Sequence, residues 1–340
     1  MIQIVEHTAA ESPCAIGAAL AATGHPVRVC RVWAGERVPD TVDGMVALVV
    51  LDGPPSVRAR AAQLALLRAA LEAEVPMLGI GTGARLLALA ADGGAGNRSH
   101  VPHDEDDVRV LHIGPSAWGL RFTPVPHADG VYGRFAALVA DRAERTTTRA
   151  FFTRRAAGWD ERFTHNGPRY AAAARRMELR SGQRVLDVGC GTGRVPPALR
   201  DQVGPGGVVA GIDLTAAMLT AAARQGRGGQ GHLLLADACR LPVGAGAVDG
   251  VFSAGLLNHL PDPRRALGEW ARVTAPDGVL LLFHPSGHAE RAARHGRPLA
   301  PDDPLTEDNL LPALRATGWH PACYEDAPHH FLLRAVRRAD

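Results

Sequence analysis

Two short stretches carry the same glycine pattern. Residues 76–90 read PMLGIGTGARLLALA, and residues 185–199 read VLDVGCGTGRVPPAL. Each has an apolar lead-in, then Gly-x-Gly-Thr-Gly, then an apolar helical tail. A glycine turn between a parallel strand and a helix lets a ligand approach the backbone closely. The acids distinguish the two. Asp187 stands two residues before Gly189, and Asp213 ends the next apolar run twenty residues after Gly193. Asp237 ends the run after that. An acid at the tip of the adjacent strand can hold a ribose diol by two hydrogen bonds. Three acids at successive strand tips outline a crevice suited to a nucleoside. Each also has a plainer reading: Asp187 can cap the following turn, Asp213 can cap a helix starting in DLTAAM, and strand-end acids such as Asp237 are common.

Dinucleotides carry a pyrophosphate, usually met by Gly-x-Gly-x-x-Gly. The second turn is instead Asp-x-Gly-x-Gly-x-Gly, whose acid disfavours phosphate and tolerates a cation. That argues against a nicotinamide oxidoreductase. S-adenosylmethionine, an adenosine with a sulfonium and an ammonium and no phosphate, suits it. Residues 150 to 337 resemble the class I S-adenosylmethionine-dependent methyltransferases that act on small molecules. The matching stretches, in the family's order, are VLDVGCGTG, GIDLTAAML, LLLADACRLP, VDGVFSAGLLNHLPD and ARVTAPDGVLLLFHPSG. The resemblance implies a seven-stranded sheet with a reversed last hairpin and a cofactor site of Asp187, Gly189, Cys190, Gly191, Gly193, Asp213, Leu214, Asp237, Ala238 and Ser253. The three glycines would lie against the methionine portion, Asp213 would hold the ribose, and Asp237 with the Ala238 backbone would read the adenine edge. Ser253 to Gly255 would line the cofactor's far side.

A sulfonium methyl is already electrophilic, so the implied step is an in-line displacement, helped mainly by alignment and exclusion of water. A general base helps only where the acceptor must lose a proton. His259 in NHLPD and His284 in FHPSG are the candidate bases, ahead of His165 and Tyr170. Each histidine can equally be a structural loop residue. The acceptor is expected to be a small molecule. A non-catalytic S-adenosylmethionine-binding sensor or scaffold is the competing function.

The first turn lacks these acids. In register with the second, Met77 stands where Asp187 does. The stretch from Leu51 to Gly94 resembles class I glutamine amidotransferase domains, where a tight elbow exposes a nucleophilic cysteine backed by a histidine. Here Gly81 holds the cysteine position, and Thr123 and Val125 hold those of the histidine and glutamate. Thr82 sits at the wrong place in the turn to substitute, and nothing places Cys14 or Cys30 there. The resemblance therefore implies an amidotransferase-type fold without its chemistry. A homodimer surface, a lid or a substrate holder are the roles open to it.

The elements that must position these residues alternate. The fold class is α/β, with two doubly wound domains. Residues 1–145 form a flavodoxin-like, amidotransferase-type domain, and residues 150–337 a Rossmann-like, seven-stranded methyltransferase domain. In the first, strands are expected at QIV, VRVCRV, ALVVLDG, PMLGI and WGLRFTPV, with helices at 13–23, 57–74 and 84–91. Leucines 64, 67 and 71 mark one helical stripe. From residue 92 to about 115 the alternating pattern breaks down, the polar stretch 92–107 reads as a loop, and a helix over 131–150 runs into a basic linker near Arg145–Thr148. In the second, strands at RVLDVG, GVVAGID, HLLLAD, VDGVFSAG and GVLLLFHP each precede a helix. A helix opened by Thr306 and closed by Gly318 leads to two terminal strands.

Composition narrows the partners. The 340 residues carry a formal net charge of +2, which points neither to nucleic acid nor to an anionic membrane. Five cysteines without a CxxC pair suit a reduced, cytoplasmic setting. Fifteen histidines show no metal-ligand spacing, so no metal is expected. The first residues lack the pattern of a signal peptide, and no apolar run is long enough to span a bilayer.

Overall fold

The computed structural model describes residues 1–10, 13–92, 108–113, 117–122, 129–296, 298 and 300–338. The chain divides into two compact units, Met1–Glu144 and Arg145–Asp340.

In chain order the first unit holds β1 (Ile2–Glu6), α1 (Cys14–Ala21), β2 (Val27–Arg31), β3 (Ala47–Val50), α2 (Val57–Glu72), β4 (Met77–Ile80), α3 (Thr82–Asp92), β5 (Val108–Ile113) and β6 (Ala117–Phe122). The sheet order is β2-β1-β3-β4-β6-β5. All neighbours are parallel except β5, which runs antiparallel to β6. Every residue of β1, β3 and β4 is buried, as continuous apolar runs in a parallel sheet should be. Ser56 starts α2 by accepting the Ala59 amide at 3.2 Å. The helix buries Leu66, Leu67 and Ala70 most deeply, and Leu64 and Leu71 sit at the edge of that core. The inward face is thus turned from the stripe expected at 64, 67 and 71.

Two expectations are corrected. Val108–Ile113, in the stretch where the alternating pattern breaks down, is a strand. Its sequence VRVLHI has too short an alternation to stand out behind the acidic run before it. Residues 93–107 of that stretch lie outside the described residues. The supposed linker at Arg145–Thr148 is the interior of α4 (Asp129–Thr153). No Gly or Pro occurs from Arg134 to Thr153, so nothing in the sequence interrupts the helix there.

The second unit continues with α5 (Trp159–Arg162), α6 (Gly167–Arg175), β7 (Arg184–Val188), α7 (Pro196–Val203), β8 (Val208–Asp213), α8 (Ala216–Arg224), β9 (His232–Leu235) and β10 (Val248–Ala254). It ends with α9 (Pro263–Val273), β11 (Thr274–His284), α10 (His288–His295), α11 (Glu307–Ala316), β12 (Trp319–Ala327) and β13 (His330–Arg337). The sheet order is β12-β13-β11-β10-β7-β8-β9. Only β13 runs antiparallel to its neighbours. From β7 the chain builds outward through β8 and β9, then returns to β7's other side with β10. The reversal of order lies between β7 and β10, and ligands of open α/β sheets bind at the carboxyl ends of strands at such a point.

Trp270, Trp319 and Phe331 fill the core on one face of this sheet. Both indoles are buried with partners: Trp270 Nε1 donates to the Ala238 carbonyl at 2.9 Å, and Trp319 Nε1 to the Leu267 carbonyl at 3.0 Å. The first of these ties α9 to the loop carrying Ala238. Thr306 is the N-cap residue of α11, but its hydroxyl donates to the Asp303 carbonyl rather than capping a helical amide. Among the described residues, no helix is long and apolar enough to cross a membrane.

Candidate functional site

The carboxyl ends of five neighbouring strands deliver the candidate residues. Asp187 is the penultimate residue of β7, Asp213 closes β8, Asp237 follows β9, Ala254 closes β10 and His284 closes β11. Above them lies a cavity of about 510 Å³, the size of a small-molecule site. The structure brings Asp187, Gly189, Cys190, Gly191, Asp213, Leu214, Asp237, Ala238, His259, His284 and Tyr170 onto its wall. Gly193, Ser253 and His165 do not line it. Ser253 is buried, and its hydroxyl donates to the Val188 carbonyl at 2.8 Å, pinning β10 to β7.

Asp187 is 1% exposed, and its Oδ2 has no hydrogen-bond partner. Burial, and then the nearby charge of Asp213, push its carboxyl up to about 8. A buried carboxylate oxygen without a partner is costly in its charged form. One beside a cavity is suited to a cationic ligand. Asp213 is better supplied. Its Oδ2 accepts the Gly191 amide at 2.9 Å and its Oδ1 the Thr215 amide at 2.8 Å. Burial still raises it, against these bonds. Gly191 has φ +54, a backbone conformation that side chains rarely adopt, and that conformation aims its amide at Asp213. A Cβ added at Gly191 would meet nothing within 4 Å, which leaves an open face on the turn. Asp237 is committed on both oxygens: Oδ1 accepts the Cys239 amide at 2.9 Å, and Oδ2 pairs with Arg145 of α4.

The two candidate bases are buried and shifted alike. Burial and then the charge of Arg291 lower His259. Burial lowers His284 to about 4, against a hydrogen bond with Ser286. Both rings are neutral near pH 7. His284 Nδ1 is held by the Ser286 backbone, 2.8 Å from its carbonyl, while His259 packs edge-on to Phe152 with centroids 5.2 Å apart.

Sequence reasoning missed the clasp on the glycine turn. Asp160, on the four-residue helix α5, accepts from Thr192 Oγ1 at 2.5 Å, Arg194 Nε at 2.7 Å and Arg227 Nη1 at 2.6 Å. Arg194 also donates to the backbone carbonyls of Trp159, Asp160 and Phe163. Burial opposes the Asp160 charge, but the bonds from Thr192 and Arg194 prevail and hold the carboxyl below its usual value. The only signal was Thr192 and Arg194 flanking the last glycine of the turn. A lone Asp among aromatics announces nothing.

The first glycine turn is built differently. Gly81 has φ +55, and a Cβ there would fall 2.2 Å from Asp52 Cγ. Asp52 Oδ1 accepts the Thr82 amide at 2.7 Å. The Asp52 carboxylate therefore fills the space into which a side chain at position 81 would project. Burial raises it, yet the bonds from Thr82 leave it below its usual value. Cys30 donates its thiol to the Arg37 carbonyl at 3.3 Å, away from this turn. Thr123 and Val125 lie outside the described residues.

Residues 186–282 match the family model described as a methyltransferase domain. An O-methyltransferase of Penicillium expansum, cnsE, is 33% identical over 154 residues, covering 42% of this chain and 54% of that protein. A demethylmenaquinone methyltransferase of Geobacillus kaustophilus is 36% identical over 115 residues, covering 33% and 49%. An uncharacterized 37.1 kDa protein of a Streptomyces fradiae transposon is 34% identical over 110 residues, covering 32% of each. The chain thus spans a third to a half of the length of these relatives. A solved S-adenosylmethionine-dependent methyltransferase from Aquifex aeolicus superposes with TM-score 0.42 at 25% identity, covering 48% of this chain and 86% of that one. Over residues 186–282, then, the second unit carries a methyltransferase domain of the S-adenosylmethionine-dependent class.

Proposed function

We propose that this chain transfers a methyl group from S-adenosylmethionine to a small-molecule acceptor, and that its first unit is an amidotransferase-like fold without amidotransferase activity. The observation that carries the transfer reading is the unpartnered Asp187 Oδ2 beside a cavity floored by a glycine turn. The residues present fit the cofactor. Asp187 would face the cofactor's cationic part, Gly191 leaves the backbone open to close approach, and Asp213 is fixed by two amides with acceptor capacity left for a ribose diol. Asp237 and the Ala238 backbone, both on the cavity wall, are the residues that would read the adenine edge. The bound cofactor supplies an electrophilic methyl group.

The protein's part is alignment and dryness. The strand tips fix one reactant against the sheet, and the rings of Phe152, Trp159 and Tyr170 close the cavity from the helical side. Where the acceptor must lose a proton, His259 is the better base. His284, lowered to about 4, binds a proton too weakly at neutral pH. For the first unit, the Asp52 carboxylate in the space of an elbow side chain supports the inactive reading.

Calorimetric titration of the intact chain with S-adenosylmethionine tests this, beside Asp213→Ala. Micromolar binding that the substitution weakens by about 1–3 kcal/mol, the effect of losing buried hydrogen-bond partners, is expected. No binding at millimolar ligand would overturn it.

A further inference from the structure

The cavity's second half points to the acceptor's chemistry. The acids Asp187, Asp213 and Asp237 all stand at the strand tips. The helical part of the wall comes from the second half of α4, from α5 and the turn after it, and from α6, and it is aromatic. Among the described residues 34 line the cavity, and five of them are Phe, Trp or Tyr: Phe151, Phe152, Trp159, Phe163 and Tyr170. Such a concentration, in a chain only 5% aromatic, is not the background composition.

The rings form a connected surface. Phe152 meets Trp159 at 5.5 Å between centroids, Trp159 meets Phe163 at 4.7 Å, and Phe152 also meets the His259 ring at 5.2 Å. Their edge-on and tilted arrangement leaves faces and edges to receive another flat ring. Among the described residues five arginines line the cavity, of which Arg145, Arg194 and Arg294 are paired with Asp237, Asp160 and Glu290. Arg155 and Arg162 belong to the helical wall, and among the described residues neither forms an ion pair with a carboxylate. Arg155 instead lies over the Phe151 ring at 3.5 Å, and Arg162 stands near Phe163.

Resting on the methyl-transfer reading, we infer that the acceptor is a flat aromatic molecule bearing an anionic group, its ring against Phe152 and Trp159 and its anion at Arg155 and Arg162. The arrangement places the anion away from the strand-tip acids, which repel it, and the ring's reacting atom towards His259. A cationic acceptor would meet the guanidiniums instead, and a non-aromatic one would forgo the ring contacts.

The test uses the full chain and three probes: 1-hydroxy-2-naphthoate, 1-naphthylmethylamine and octanoate. S-adenosylhomocysteine is first titrated alone, and saturation-transfer NMR then measures probe binding to the loaded protein. The hydroxynaphthoate is expected to bind most tightly. The pair Arg155→Gln with Arg162→Gln should weaken it by about threefold to fivefold, as for a partly exposed ion pair, without altering homocysteine-conjugate binding. Phe152→Leu should weaken it by about tenfold through lost ring contact. Equal or tighter binding of the amine or of octanoate overturns the inference while leaving the methyl-transfer reading intact. So does indifference of the hydroxynaphthoate to the arginine pair. Failure of S-adenosylhomocysteine to bind at all overturns the methyl-transfer reading itself, and this inference with it.

Discussion

Asp187 is the residue with the sharpest consequences. Its carboxyl lies at about 8 in the folded chain against an ordinary value of 3.8. The folded state therefore keeps a proton that the unfolded chain has released between these values. Where the folded state binds more protons, stability falls as pH rises. Asp187 should thus lower stability progressively from about pH 4 to about pH 8, and Asp187→Asn should flatten that part of a denaturation-versus-pH curve. A cationic ligand facing Oδ2 reverses the preference, because it favours the charged form. Binding of S-adenosylmethionine at pH 7 should then release a proton, seen as a dependence of calorimetric heat on the buffer's ionisation enthalpy. Asp187→Asn should abolish the dependence. Heats identical in all buffers for the parent chain would show that the ligand does not meet this carboxyl.

At the scale of elements, the clasp and the first glycine turn show what a sequence can and cannot declare. The runs VLDVG, VVAGID and VFSAG were legible as strands because uninterrupted apolar stretches between turns have few other fates. Their carboxyl-end acids were legible with them, since a strand's last residue inherits its position. Asp160 was not, because its partners Thr192, Arg194 and Arg227 lie more than thirty residues on and meet it only through the packing of α5 on the turn. Asp160→Asn leaves two arginines short of a charge, so it should speed hydrogen exchange across residues 154–166 and lower stability by about 1–3 kcal/mol. Asp160's folded value is depressed, so its contribution is present above the ordinary carboxylate range and is lost on acidification. The parent and Asp160→Asn should therefore converge in stability as the pH falls below the ordinary carboxylate range. Unchanged exchange in the variant would reduce the clasp to a surface contact. The first glycine turn was legible as a turn, but the carboxylate beneath it was not. Asp52 sits in another loop, and only the fold brings it under Gly81. Gly81→Cys should lower the melting temperature through this clash and the left-handed backbone, while Asp52→Gly added to it should recover part of the loss. A single variant as stable as the parent would mean the carboxylate moves aside freely.

For the whole molecule, the division of the chain does not fall in a loop. It falls at Glu144/Arg145, inside α4, whose first half contributes Val131, Phe135 and Val139 to the first unit's core. The second half contributes Arg145, Thr148, Phe151 and Phe152 to the cavity wall. One continuous helix thus serves a core with its first half and a cavity wall with its second, which the sequence disguised: a Thr-rich basic stretch looks like a linker when its packing partners are unknown. A fragment beginning at residue 150 keeps only four residues of α4, too few to hold a helical turn by themselves. It should lose the Arg145–Asp237 pair and the Phe151–Phe152 wall together, and bind S-adenosylhomocysteine several-fold more weakly than a fragment beginning at residue 141. The longer fragment keeps a full turn ahead of Arg145, and none of those three core residues of the first unit is left exposed on it. Calorimetry on both fragments separates the cases. Equal affinities would mean that the strand tips alone make the cofactor site, and that this stretch of α4 matters only to the acceptor.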